Sequence, residues 1–196
     1  MAQAVYASES LKANTRQGTL ETVGRHDHRT RGVGRRAGVA AGNDCGMAWV
    51  EIDRLLWQEG WRLTPTDIYM REHDAIVARA NWLIDGLGHQ TSISGRIARA
   101  TEVILIDMPL WMNFWLAAER QIAWASGKLE NAPGGIAQMP PTQRLFRSIW
   151  DVEQNWMPHV RRLCDEAEVQ GKTVTRLASV DDFDQFARMI SCSRAG

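Results

Sequence analysis

The sequence has few cysteines, and none of them is placed to bind a metal. Cys45, Cys164 and Cys192 are spread along the 196-residue chain, and no two of them have the close spacing of zinc ligands. An odd, scattered set of this kind is typical of reduced thiols in the cytosol rather than of a disulfide framework. It favours a cytoplasmic location.

Long apolar runs and a leader pattern are also lacking. The longest apolar run, near residues 109–118, is interrupted by Asn113 and has about half the length of a membrane span. The first ten residues do not lead from a basic segment into an apolar one, as a secretory signal does. We therefore expect no contact with a membrane.

Neither sign of charge is in excess, because 23 Lys+Arg balance 23 Asp+Glu. Overall charge thus does not favour nucleic acid as a partner, although it does not exclude it. Residues 1–46 nevertheless carry seven basic and four acidic residues, and they contain no Ile, Phe or Trp. So little apolar material cannot build a core. We interpret residues 1–46 as an anomalous basic, Gly/Arg-rich segment and residues 47–196 as the folded domain.

Residues 47–196 alternate between short apolar strands and amphipathic helices. The strands are predicted at residues 48–53, 82–86, 103–106 and 173–177. The helices are predicted at residues 64–80, 95–100, 109–126, 142–169 and 179–190, with loops over 87–94 and 127–141. The first helix should bury Ile68, Ile76, Val77 and Ala80. Pro158 should kink or split the long fourth helix, and Ser179 should cap the last. This alternation predicts an α/β fold, with a parallel sheet and helices on both faces.

Three of the predicted strands end in an acid, at Asp53, Asp85 and Asp107, and Gly86 follows the second. Ligands of open α/β sheets bind beyond the carboxyl ends of the strands, so these acids are candidates for a nucleotide site. A structural interpretation stays open for two of them. Asp107 could instead cap the following helix, and Asp85 could serve the turn after its strand.

The order of these pieces resembles the adenylate-kinase-like P-loop proteins often labelled DNA topology modulation proteins. The matching pieces cover roughly residues 47–190: residues 50–53 with Trp57 and Trp61, residues 82–86, residues 99–101 leading into 104–107 and 109–111, residues 144–146 with Ile149 and Trp150, and residues 176–177 with Ser179. The resemblance implies a three-layer α/β/α parallel sheet of P-loop nucleotide-kinase type, with a lid-type helical insertion at about 109–170.

The same resemblance implies ATP-dependent phosphoryl transfer to a nucleoside, nucleotide or similar small acceptor, with ATP and Mg²⁺ as cofactors. It assigns a catalytic role to Asp107, Arg120, Arg144 and Arg147. It assigns substrate binding to Asp53, Trp57, Asp85 and Gly86. Each arginine taken singly also fits a solvated helix face. Four tryptophans could stack a base, although their spacing favours a place in the core: Trp57, Trp61, Trp111 and Trp115.

The phosphate-binding motif of such proteins, G-x-x-x-x-G-K-S/T, does not occur in the sequence. Gly32, Gly34 and Gly38 give a related spacing, but no apolar strand precedes them. The codons of residues 24–45, read from their second base, permit a strand and a Gly-rich loop. Residues 1–46 are thus either disordered or, by our hypothesis, partly a frame-shifted image of the missing loop, which the gene's nucleotides would reveal.

The N-terminal strand and the phosphate loop are therefore expected to be missing or atypical, with weak or absent ATP binding and impaired transfer. Two other functions stay open. The chain could be a non-catalytic pseudo-kinase with a binding or regulatory role. It could also be a DNA-topology-related binding protein that acts through residues 1–46, whose net charge is only +3.

Overall fold

The computed structural model describes residues 5–8, 48–128, 136 and 138–192, and it shows a mixed α/β fold. The strands are β1 (Val5–Ser8), β2 (Ala48–Glu51), β3 (Trp57–Gln58), β4 (Arg62–Leu63), β5 (Trp82–Asp85), β6 (Glu102–Ile106) and β7 (Thr173–Leu177). The helices are α1 (Asp53–Leu56), α2 (Thr66–Val77), α3 (Gln90–Arg99), α4 (Leu110–Ala125), α5 (Thr142–Asp151), α6 (Met157–Val169) and α7 (Val180–Cys192). A 3₁₀ turn spans Glu59–Trp61, and a π-helical turn spans Val152–Trp156.

The main sheet has the strand order β2–β5–β1–β6–β7, and β3 pairs with β4 in a separate hairpin. The strand β2 is parallel to β5, and β6 is parallel to β7. The strand β1 lies at the centre and is antiparallel to both β5 and β6, so the four strands predicted from the sequence all run in one direction. The sheet is therefore mixed, and its central strand comes from the segment expected to contribute little. The other residues of 1–46, including the Gly-rich spacing, lie outside the described residues.

The two faces of the sheet pack against different helices. Side chains alternate between faces along a strand, and in β6 Val103 and Leu105 join one buried cluster while Ile104 and Ile106 join another. The first cluster contains apolar residues of α2, α3 and α6, and the second contains Phe183 of α7. Helices therefore contribute side chains to the buried clusters on both faces of the sheet.

Several predicted details of the helices are wrong. The third helix, α3, begins at Gln90 rather than near residue 95, because His89 caps its first turn by accepting a hydrogen bond from Thr91 N. The expected loop over 87–94 was suggested by polar residues, most of which lie on the exposed face of this helix. Ala80 is exposed, beyond the end of α2. The expected break in the helix over 142–169 does occur, because the π-helical turn interrupts it and Pro158 lies in the first turn of α6.

The cap of the last helix is confirmed. Ser179 Oγ accepts a hydrogen bond from Asp182 N at 3.1 Å, and Asp182 Oδ2 accepts one from Ser179 N at 2.9 Å. This reciprocal capping box satisfies amide groups that the first turn leaves unpaired. Within the described ranges, no helix has both the length and the apolar character needed to cross a membrane.

Candidate functional site

A groove lies at the carboxyl edge of β2. It is bounded by α1 and the following β3–β4 hairpin, by α4 and by α5. About 70 Å³ of it is open to the centres of water-sized molecules, whereas one water needs roughly 10–15 Å³ on this measure. The groove therefore has room for a few waters, and a larger ligand would lie partly in solvent at its mouth. Its polar and aromatic lining residues are Asp53, Trp57, Trp61, Arg120, Gln121, Trp124, Arg144 and Ser148.

Four of the eight site residues assigned from the resemblance lie together in this groove: Asp53, Trp57, Arg120 and Arg144. Asp85 and Gly86 are close by, since a Cβ atom placed on Gly86 would lie 3.6 Å from Asp53 Oδ1. The backbone oxygen of Asp85 also accepts a hydrogen bond from Ile52 N, at 2.9 Å. Arg147 and Asp107 do not line the groove.

Three indole rings form the aromatic wall of the groove. The ring centroids of Trp57 and Trp61 are 5.7 Å apart, and those of Trp61 and Trp124 are 6.0 Å apart, both pairs meeting edge to face. The guanidinium carbon of Arg144 lies 6.0 Å from the centroid of Trp57, at the limit of a cation–π contact. The wall thus combines flat apolar surface with a cation at its edge.

The neighbouring pair Trp111 and Trp115 behaves differently. Their side chains are 64% and 60% exposed on α4, so the expected place in the core is wrong for both. Trp57 and Trp61 are half-buried. Only the latter two are placed to contact a ligand in the groove.

Residues 138–142 form one side of the groove and are hydrogen-bonded to residues on its other sides. Trp61 Nε1 donates a hydrogen bond to the Gln138 carbonyl oxygen at 2.7 Å. Gln121 Nε2 donates to the Pro140 carbonyl oxygen at 3.2 Å, and Thr142 Oγ1 donates to Gln121 Oε1 at 3.3 Å. Trp61 makes its contact with a backbone φ of 57°, which is rare for a bulky residue. Strain of this kind clusters at ligand sites.

The carboxyl group of Asp53 lies in an environment that disfavours its ionised form. Burial raises the pKa of Asp53 above its usual 3.8, and the neighbouring charge of Glu51 raises it further. The cations Arg120 and Arg96 oppose this rise without cancelling it. Arg96 is itself fully buried, and it donates a hydrogen bond to the Leu87 carbonyl oxygen at 2.8 Å. The protonated form of Asp53 is therefore favoured more than that of an exposed aspartate.

We expect Asp53→Asn to stabilise the protein at neutral pH. A raised folded-state pKa means that ionised Asp53 lowers stability above that pKa, and that this penalty disappears as the pH falls towards 3.8. Urea denaturation should show a gain of about 1 kcal/mol in the free energy of unfolding near pH 8, typical of a site that trades stability for function. The gain should shrink near pH 4.

A matched control is Asp67→Asn, because Asp67 is an exposed acid in the first turn of α2. Its negative charge is favourable at a helix N-terminus, so we expect a small loss of stability there. If Asp53→Asn were also destabilising near pH 8, the electrostatic description of the groove would be wrong.

Asp107, at the end of β6, is held by an arginine that the sequence did not indicate. Arg161 donates from Nε to Asp107 Oδ2 at 2.8 Å and from Nη2 to Oδ1 at 2.7 Å. Arg161 Nη2 also donates to Glu153 Oε1, at 2.8 Å. The hydrogen bonds with Asp107, then those with Glu153, raise the pKa of Arg161 despite partial burial. Asp107 does not cap the next helix, whose first turn has no side-chain cap.

The described residues do not fit a protein-held Mg²⁺. Both carboxylate oxygens of Asp107 are engaged by Arg161. Among these residues, no three His, Cys, Asp or Glu side chains lie together as a metal-binding group. The Gly-rich spacing at residues 32–38, the nearest equivalent of a phosphate loop, lies outside the described part of the chain.

Comparison with known proteins gives no relative. No family model, no curated protein and no solved structure matches the chain significantly. The adenylate-kinase-like assignment therefore stays a prediction from the sequence, and the chemistry of the groove has to carry any functional conclusion.

Proposed function

We propose that the groove binds a planar anionic ligand of nucleotide type, and that the chain transfers a phosphoryl group from ATP to this acceptor on an adenylate-kinase-like scaffold. The observation that supports it best is the meeting of Asp53, Trp57, Arg120 and Arg144 in one groove. These residues come from three separate stretches of the sequence.

The groove supplies the chemistry that such a ligand needs. Indole rings stack on nucleobases of any sequence, because every base has a π face. Arginine side chains bind phosphate through several donors in a fixed plane, which suits Arg120 and the exposed Arg144. Asp53 can accept a proton from a hydroxyl or amino group of the acceptor. Because the groove is small, a base would stack on the indole wall at its mouth, with the phosphate directed towards Arg144 and solvent.

The position of the groove at the carboxyl end of β2 supports the proposal. Ligands of open α/β sheets bind at the carboxyl ends of the strands. Arg120 and Arg144 would neutralise the charge of the transferred group. When bound, ATP would supply that group. We assign no step to Mg²⁺, since the described residues do not hold it.

Two observations favour a second candidate, a non-catalytic nucleotide-binding or regulatory protein. Asp107, the acid that the resemblance assigns to catalysis, has both oxygens bonded to Arg161. The strand β1 is antiparallel to its neighbours, with Ser8 paired to Glu102 at the start of β6. The chain therefore leaves β1 at the edge opposite the groove, where a phosphate loop after this strand could not face the ligand.

We expect nucleoside monophosphates to quench the tryptophan fluorescence, because three indoles line the groove. A titration with each monophosphate, with adenosine and with inorganic phosphate measures affinity, and Trp57→Leu and Arg144→Met should each weaken binding at least tenfold, or about 1.4 kcal/mol. Arg79→Met, an exposed arginine after α2, is the matched control and should leave affinity unchanged. Arg147→Met tests the two assignments against each other. The resemblance gives Arg147 a role, whereas Arg147 does not line the groove.

Incubation with ATP labelled at its γ-phosphate then distinguishes the two candidates. Label in the diphosphate product supports phosphoryl transfer. Saturable binding without transfer supports the non-catalytic protein. If none of the nucleotides binds, both candidates are wrong.

A further inference from the structure

A second cavity lies between α2 and α3, apart from the tryptophan groove. It offers about 210 Å³ to the centres of water-sized molecules and is open to solvent. It shares no lining residue with the groove. One side is bounded by a contact of 3.5 Å from Thr91 Oγ1 to Met70 Sδ. Its main lining residues are Met70, His73, Asp74, Val77, Gly95 and Arg99.

Gly95 keeps this cavity open at the centre of α3. A glycine inside a helix costs about 1 kcal/mol relative to alanine. A Cβ atom placed on Gly95 would meet no atom within 4 Å, so no neighbouring side chain or backbone requires a glycine there. The helix thus carries a residue of low helix propensity in the cavity wall, where the space of a side chain is left free.

The wall carries one group of each charge beside an apolar surface. The Asp74 side chain is 67% exposed and accepts a hydrogen bond from His73 Nδ1 at 3.1 Å. Arg99 is exposed and forms no ion pair or hydrogen bond with any residue that the structure describes. Burial lowers the pKa of His73, which leaves its ring neutral. Met70 and Val77 of α2 provide the apolar part.

The size and charges of the cavity restrict its ligand. An apolar cavity of about 150 Å³ holds benzene, and drug-sized ligands use roughly 300 Å³ or more. A ligand slightly larger than benzene therefore fits 210 Å³, and a whole nucleotide does not. A free phosphate would leave the apolar wall uncovered and would be repelled by Asp74. A zwitterion with an apolar tail satisfies every part of the wall.

We propose that this cavity binds a free α-amino acid with an apolar side chain. The ammonium group contacts the Asp74 carboxylate, the carboxylate pairs with the Arg99 guanidinium, and the side chain packs along Met70 and Val77. The proposal is independent of the function assigned to the groove.

Ligand-detected NMR and calorimetry on the full chain test the proposal with L-methionine, L-leucine and L-phenylalanine. We expect saturable binding of at least one of them. Its N-acetyl derivative loses the ammonium charge and its amide loses the carboxylate, so each should bind at least tenfold more weakly. Gly95→Leu fills the cavity with a residue of higher helix propensity and should abolish binding. Arg99→Met should weaken it at least tenfold.

The control is Arg71→Met, which removes an exposed arginine of α2 outside the cavity and should leave binding unchanged. The proposal is overturned if no apolar amino acid binds at about 20 mM, or if the N-acetyl derivative binds as tightly as the parent. It is also overturned if Arg99→Met binds as the wild type does. None of these results bears on nucleotide binding, which fluorescence of the groove reports separately.

Discussion

Gly88→Ala is expected to lower the free energy of unfolding by about 4 kcal/mol. Gly88 is buried, with a φ of +66°. A Cβ atom there would lie 2.2 Å from Tyr69 Oη and 2.9 Å from Ile52 Cγ1. Neither neighbour can move easily, because both are fully buried.

Three costs add up at this position. The left-handed backbone costs a residue with a Cβ about 1–2 kcal/mol, and overpacking costs about 1–3 kcal/mol. Displacing Tyr69 Oη also breaks its hydrogen bonds with His89 N and Ser92 Oγ, both 3.1 Å long, and a buried polar group without a partner costs about 1–3 kcal/mol. The same bonds fix the start of α3, so we expect a cooperative loss.

Gly171→Ala separates the cost of the steric contact from the cost of the left-handed backbone conformation. Gly171 has a φ of +85°, but a Cβ atom there would meet nothing within 4 Å. Its cost should be limited to backbone strain, about 1–2 kcal/mol. Urea denaturation of both variants measures the difference. Equal losses would show that the approach of Tyr69 to Gly88 is not as described.

Arg161→Met is expected to lower the free energy of unfolding by about 2 kcal/mol. Removing Arg161 leaves Asp107 and Glu153 without the cation that joins them, and their side chains are only 22% and 16% exposed. Breaking a fully buried pair costs about 3–5 kcal/mol, and the partial exposure of all three groups reduces that figure. Since the two like charges then face each other, adding Asp107→Asn should restore part of the loss.

Arg162→Met is the control on the same helix. Arg162 pairs with Glu166 at 3.2 Å, and both side chains are at least half exposed. Exposed helix pairs of this kind contribute about 0.3–0.5 kcal/mol. Denaturation midpoints that shift alike for the two arginines would mean that Asp107 is not held by Arg161.

The parallel part of the sheet was predictable because its causes are local. The apolar runs of β2, β5, β6 and β7 are each bounded by turn or helix signals, and the helices between them repeat apolar residues at helical spacing. The strand β1 was not predictable. Its four residues lie in a polar segment, and their partners in β5 and β6 are about 75 to 100 residues away. Hydrogen bonds between residues so far apart in the chain leave no pattern in the local sequence.

The groove was predictable only in part, for the same reason. Strand ends and the resemblance indicated Asp53, Trp57, Arg120 and Arg144. Trp124 was missed because its role comes from its contact with Trp61, 63 positions away in the chain. The pairing of Arg161 with Asp107 spans 54 positions and follows no spacing rule. Composition also misplaced Trp111 and Trp115, because an apolar ring does not reveal whether a helix presents it to the core or to solvent.

The central position of β1 also sets the order in which the sheet can form. The pair β2–β5 and the pair β6–β7 are joined only through β1 in the described sheet. During synthesis, β1 is made before the other described strands, yet both of its partners are complete only about 100 residues later. Non-local pairing of this kind slows folding, and it leaves strand edges exposed until the last partner arrives. The residues of β1 are therefore among the last to complete their hydrogen bonds, and the two pairs of strands are joined only once β6 has been made.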